Sequence, residues 1–109
     1  MKYRMANPAD GMPDEAADVE GELSALREGV DDIDATIVKL LGRRFETTRR
    51  IGALKAKAGL PSLDAAREAD QDARLVDRAM DAGIDPALVI RLYGDIRAEV
   101  RREHDAAER

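Results

Sequence analysis

The sequence predicts an all-α fold with three helices per chain, the first of them long and in need of a second copy of the chain to cover its apolar stripe. Three observations carry that prediction. The stretch from Leu26 to Lys57 keeps helical apolar spacing with few interruptions. The composition is rich in Ala, Leu, Arg, Glu and Asp and poor in aromatics, with one Phe, two Tyr and no Trp, which favours helix. Two strong break signals, around Gly59-Leu60-Pro61 and Gly83-Ile84-Asp85-Pro86, set off two shorter helices in the C-terminal half of the chain.

At 109 residues the chain is one domain, and it contains no repeats or low-complexity tracts. Residues 1–19 carry Pro8, Gly11, Pro13 and a cluster of acids without apolar periodicity, and are expected to form a flexible N-terminal arm. Met5 stands as an alternative start to Met1. Residues 20–109 are the expected helical domain.

The long helix is expected to start between Glu20 and Glu22 and to end near Ala58, with Gly59 as its cap and Pro61 blocking continuation. Its stripe is Leu26, Val30, Ile33, Ile37, Leu40, Ile51 and Leu54. Between Leu40 and Ile51 the stripe positions hold Arg44 and Thr48, and Lys55 comes just after Leu54. A cation on a buried face is costly unless something pairs with it, so this anomaly marks the candidate site. Arg44 and Lys55 differ by roughly 20° around the helix and lie roughly 16 Å apart along it, near enough for their long side chains to converge on one small anion. Arg27 is roughly 25 Å from Arg44 by helical rise, too far to join them within one chain. A second helix running antiparallel in a two-fold dimer would bring it into reach.

The second helix is expected over Ala65–Ala82, capped by Ser62 or Asp64, with Ala69, Ala73, Val76 and Ala79 or Met80 facing inward. The third runs from Pro86 to about Ala106, with Asp85 as its cap and Val89, Leu92, Tyr93, Ile96, Val100 and His104 on one stripe. The interior glycines Gly42 and Gly52 are read as points of close helix packing.

Several function classes are excluded. A net charge of −5 argues against nucleic acid or an anionic membrane as partner. No cysteine is present, so there is neither a disulfide nor thiolate chemistry. A single His without cysteines argues against a transition-metal site, and no cofactor motif is present. No apolar run suits a signal peptide or membrane span, which places the chain in the cytoplasm.

Taken singly, Arg27, Arg44, Lys55 and the Asp64-Ala-Ala-Arg67-Glu68 helix start read as ordinary surface charges, and His104 as a packing histidine. Together, the segments LREGVDDIDATIVKLLGRR, IGALKAKAGLP and DAAREAD resemble the all-helical (AroQ) class of chorismate mutase, from about Leu23 to His104. The third helix, with IRAEVRREHD, is similar to that of small monofunctional actinobacterial-type members. The joint spacing of Arg27, Arg44, Lys55, Asp64, Arg67 and Glu68 across two helices is what matches; the sequence departs at Val100 and His104, where the family's best-known pattern has Ser and then Gln or Glu.

The resemblance implies an intertwined homodimer with the long helices paired across a two-fold axis and shared sites. It implies a [3,3] rearrangement of chorismate to prephenate in the shikimate pathway of aromatic amino-acid biosynthesis, without cofactor. It also implies roles. Arg44 and Arg27 of the partner subunit would grip the substrate carboxylates. Lys55 and His104 would serve the ether oxygen and Glu68 the ring hydroxyl, with Asp64 nearby. Arg67 would orient the carboxylates and Val100 would pack on the ring. Three alternatives stay open on the same scaffold: a mutase for 4-amino-4-deoxychorismate, a pyruvate-eliminating isochorismate lyase, and a non-catalytic helical dimerisation module. Docking to another shikimate-pathway enzyme, as in some small members, is a further partner the resemblance leaves open.

Overall fold

A computed structural model describes residues 14–107, which form three helices: α1 (Asp14–Ala58), α2 (Ala65–Asp81) and α3 (Pro86–Ala107). The all-α expectation holds. Helix α1 begins at Asp14, ahead of the expected start. Asp14 and Glu15 lie in its first turn and Lys55 and Lys57 in its last, each charge set against the helix dipole with the favourable sign. Acids at a helix start favour helix even where no apolar stripe has begun, so residues 14–19 are helical and the expected arm is corrected there. Residues 1–13 of that arm lie outside the described residues.

Both breaks are built as the sequence indicates. Gly59 takes φ +69° and Gly83 φ +72°, backbone conformations that a side chain disfavours. Beyond each, an N–H turns back to cap the helix: Leu60 N donates to the Lys55 carbonyl at 2.8 Å and Ile84 N to the Ala79 carbonyl at 2.8 Å. Asp64 caps α2 by accepting from Arg67 N at 3.0 Å, and Asp85 accepts from Ala87 N at 3.0 Å at the start of α3.

The chain divides into two units, residues up to Gly42 and residues from Arg43 on. In the second unit α2 packs against α3. Its buried residues are Leu75 and Ala79 of α2, flanked by half-buried Val76, Val89, Ile90, Tyr93, Ile96 and Val100. The expected inward faces hold at Val76, Ala79, Val89, Tyr93, Ile96, Val100 and His104 and are corrected at four positions. Ala69, Ala73 and Met80 are exposed, as is Leu92. The inward row of α2 runs through Gln71, Asp72, Leu75 and Ala79, because Arg97 on α3 draws the two polar side chains in. Arg97 donates from Nε and Nη2 to Gln71 Oε1 at 3.1 and 2.7 Å and pairs with Asp72 at 2.8 Å. Alanines are too small to define a face on their own: Ala79 turns inward, whereas Ala69 and Ala73 do not.

The α1 residues of this unit meet α3 through long side chains. Arg49 bonds Glu103 at 2.9 Å, and this hydrogen bond, then the carboxylate's charge, raise the guanidinium pKa. In the first unit, Leu26, Val30, Ile33, Ile37 and Leu40 are each half or more exposed. No α1 residue is buried.

Candidate active site

The second unit holds an open cavity of about 470 Å³ lined by α1, the 59–64 loop, α2 and α3. Seven of the eight candidate residues line it: Arg44 and Lys55 from α1, Asp64 from the loop, Arg67 and Glu68 from the first turn of α2, Val100 and His104 from α3. Arg27 belongs to the other unit.

Local rules bring these groups together. Arg44, Thr48, Ile51 and Lys55 sit at steps of three and four and therefore share one strip of α1. Asp64 must be at the loop end because it caps α2, which fixes Arg67 and Glu68 on the first turn. On α3 the same stepping places Arg97, Val100, Arg101 and His104 on the cavity wall.

Arg44 is the most informative of them. Its guanidinium carbon lies 5.2 Å from the centre of the Tyr93 ring, whose face supports the charge. Its Nη1 is buried and has no hydrogen-bond partner. A buried donor left unpaired costs about 1–3 kcal/mol, more for a charged group. Lys55 Nζ reaches only the Ser62 carbonyl, at 3.4 Å. Neither cation forms an ion pair among the described residues.

Four polar lining residues escape the sequence reading: Gln71, Arg97, Arg101 and Asp105. Arg97 is committed to Gln71 and Asp72. Arg101 Nη2 bonds both oxygens of Glu68, at 3.2 and 3.1 Å, so the carboxylate is held in place facing the cavity. A signal for them exists, since Arg97, Val100, Arg101 and His104 share the stepping that singles out Val100 and His104. Asp64 Oδ1 is occupied by the cap. His104 Nε2 lies 3.4 Å from the Thr48 carbonyl. That oxygen can only accept, so the contact is made by a ring carrying its proton on Nε2. The neutral ring then presents Nδ1 as an acceptor, and donation through Nδ1 requires the imidazolium.

Five cationic side chains and three acidic ones line the cavity. Glu68 is paired with Arg101 and Arg97 with Asp72, which leaves Arg44, Lys55 and Arg67 as the lining cations without an ion pair among the described residues. Such a cavity suits a small organic anion. Among the described residues no group of three His, Cys, Asp or Glu side chains is placed to hold a metal ion, and no helix is long and apolar enough to cross a membrane.

Comparison with known proteins gives the family of the chain. Residues 26–105 match the family described as chorismate mutase type II. The chain is 32% identical over 94 residues to the intracellular chorismate mutase of Mycolicibacterium smegmatis, covering 84% of this chain and 90% of that one. It is 36% identical over 100 residues to a 4-amino-4-deoxychorismate mutase of Streptomyces pristinaespiralis, covering 92% and 74%. It is 33% identical over 87 residues to the T-protein of Enterobacter agglomerans, covering 80% of this chain but only 22% of that longer protein. The chain belongs to the chorismate mutase type II family, a family of isomerase-type enzymes.

Proposed function

We propose that the protein rearranges chorismate to prephenate, breaking one C–O ether bond as one C–C bond forms, in the cytoplasm and as a homodimer. The buried, unpaired Nη1 of Arg44 carries this reading. A carboxylate supplies the acceptor that the nitrogen lacks, and a guanidinium binds it in fork geometry.

The reaction is intramolecular and asks no side chain to act as nucleophile. It asks for a compact substrate conformer and for positive charge where negative charge grows, on the ether oxygen. Arg44 and Arg27 of the partner subunit hold the two carboxylates, and Arg67 orients them. Lys55, free of any carboxylate, serves the ether oxygen, where its charge counts more in the transition state than in the ground state. Val100 packs on the ring, and His104, as the imidazolium, donates from Nδ1 to the ether oxygen. Glu68, braced by Arg101, accepts from the ring hydroxyl, with Asp64 beside it as the cap of its helix. The exposed apolar row of α1 supports the homodimer, because a helix of this length with its stripe in water gains most by pairing.

A second substrate is supported by the same residues. Glu68 can accept from an amine as well as from a hydroxyl, and the S. pristinaespiralis relative is named as a 4-amino-4-deoxychorismate mutase. On mixing purified protein with chorismate, the substrate's absorbance should fall at a rate proportional to enzyme, with prephenate as the isomeric product. A kcat/KM higher for the 4-amino analogue than for chorismate would reverse the assignment; no turnover of either would reject it.

A further inference from the structure

We propose that Gly52 is a positioning residue of this site: the bare face it leaves on α1 is the seat of the His104 ring, holding Nε2 at the Thr48 carbonyl and leaving Nδ1 as the nitrogen that donates to the substrate from the imidazolium. The part His104 plays in turnover rests on the chorismate mutase reading; the seat itself is a matter of packing.

Seven glycines fall among the described residues, and six of them have nothing within 4 Å of where a Cβ would stand. Gly59 and Gly83 are explained by their positive φ. Gly52 has neither excuse. It lies inside α1 with ordinary helical backbone, where glycine is a poor helix former. A Cβ there would meet His104 Nε2 at 2.5 Å, Cδ2 at 2.9 Å and Cε1 at 3.0 Å. The whole leading edge of the imidazole rests on this one residue.

Two further observations give the seat a purpose. One turn earlier on the same helix, the Thr48 carbonyl takes Nε2 at 3.4 Å, so the ring is located by contact and by a polar partner. His104 is also shared by two cavities. With Lys55 and Ser62 it lines both the cavity of about 470 Å³ and a second one of about 690 Å³ that Gly52 itself borders. The ring therefore borders both, and its distance from α1 bears on the shape of each. A methyl group at position 52 would not break the helix. The obstructing atoms belong to the end of a side chain with two rotatable bonds, so the ring would swing away and the backbone would stay.

The test uses the fact that His104 is the only histidine in the chain. In ¹⁵N-labelled protein one imidazole reports its tautomer and surroundings without ambiguity. Wild type should show the Nε2–H form when neutral. Gly52→Ala should keep the helical circular dichroism and melt no lower than wild type, because alanine is the better helix former. Its imidazole resonances should nevertheless shift and lose the single-tautomer pattern. In turnover of chorismate, Gly52→Ala should lower kcat/KM about 10-fold, the scale of one polar contact, mostly through kcat. In a His104→Ala background, which removes the ring, the same glycine substitution should change kcat/KM by less than about 2-fold, since interacting positions are not additive. An unaltered imidazole spectrum in Gly52→Ala, or an equal loss in both backgrounds, would overturn the proposal. If wild type turns over no chorismate, the catalytic reading fails by itself, and the imidazole spectra alone decide whether Gly52 seats the ring.

Discussion

Lys55 shows how much can hang on a single side chain. It is half-buried, close to Arg44 around the helix, and its ammonium group meets only the Ser62 carbonyl, at the long end of hydrogen-bond range. A charge held without a carboxylate partner is available for a change in charge elsewhere. If it answers the developing charge on the ether oxygen, Lys55→Ala should lower kcat more than it raises KM. Lys55→Arg keeps the charge but replaces a compact ammonium with a broad planar fork, so it should restore little of the rate. Steady-state kinetics with chorismate check both; a raised KM with unchanged kcat would remove Lys55 from the transition state. Arg44 and Lys55 are legible in the sequence because they are anomalies, cations in or beside a stripe that should be apolar. Arg97 and Arg101 share the stepping of Val100 and His104 but do not stand out by it, because cations abound on α3 and it takes the fold of α2 against it to show that these two face the cavity. Gly52 reads in the sequence as a point of close packing and is one, but its neighbour is an imidazole ring and not a helix.

At the level of elements, α2 is placed by its first residue boundary. Asp64 does two things that a single substitution would confuse: its Oδ1 caps the helix, and its charge faces the cavity beside Arg67 and Glu68. Asparagine caps as well as aspartate does, while alanine does not. Asp64→Ala should therefore cost about 0.5–2 kcal/mol of stability, and Asp64→Asn only a small fraction of that. Thermal melts of the two variants measure the cap, and their kinetics measure the charge. If Asp64→Asn is as active as wild type, the residue is a cap and no more. Helix ends of this kind are readable from sequence, since Gly59, Gly83, Asp64, Asp85 and Pro86 each have one strong local reason to be where they are. The start of α1 and the inward face of α2 are not. The first depends on acids stabilising a helix start before any apolar stripe begins, and the second on Arg97 drawing Gln71 and Asp72 inward from another helix.

For the whole molecule, a single chain is on this reading an incomplete enzyme. One unit carries the cavity, and the other carries Arg27 and an apolar row in water. A homodimer answers both deficits at once, covering the row and delivering Arg27 of the partner subunit to help Arg44 hold the two substrate carboxylates. The consequence is a complementation test. Arg27→Ala and Arg44→Ala should each lose most activity while remaining helical dimers by sedimentation and circular dichroism. When the two inactive variants exchange subunits, each heterodimer combines an intact Arg44 with an intact Arg27 at one of its sites and leaves both missing at the other. With random exchange, half the dimers are heterodimers, so activity should return to about a quarter of wild type per chain. No recovery, with exchange demonstrated by mass-tagged subunits, would mean that Arg27 works within its own chain or takes no part in binding. The cavity of Arg44 and Lys55 would then have to hold its anion without help from a second copy.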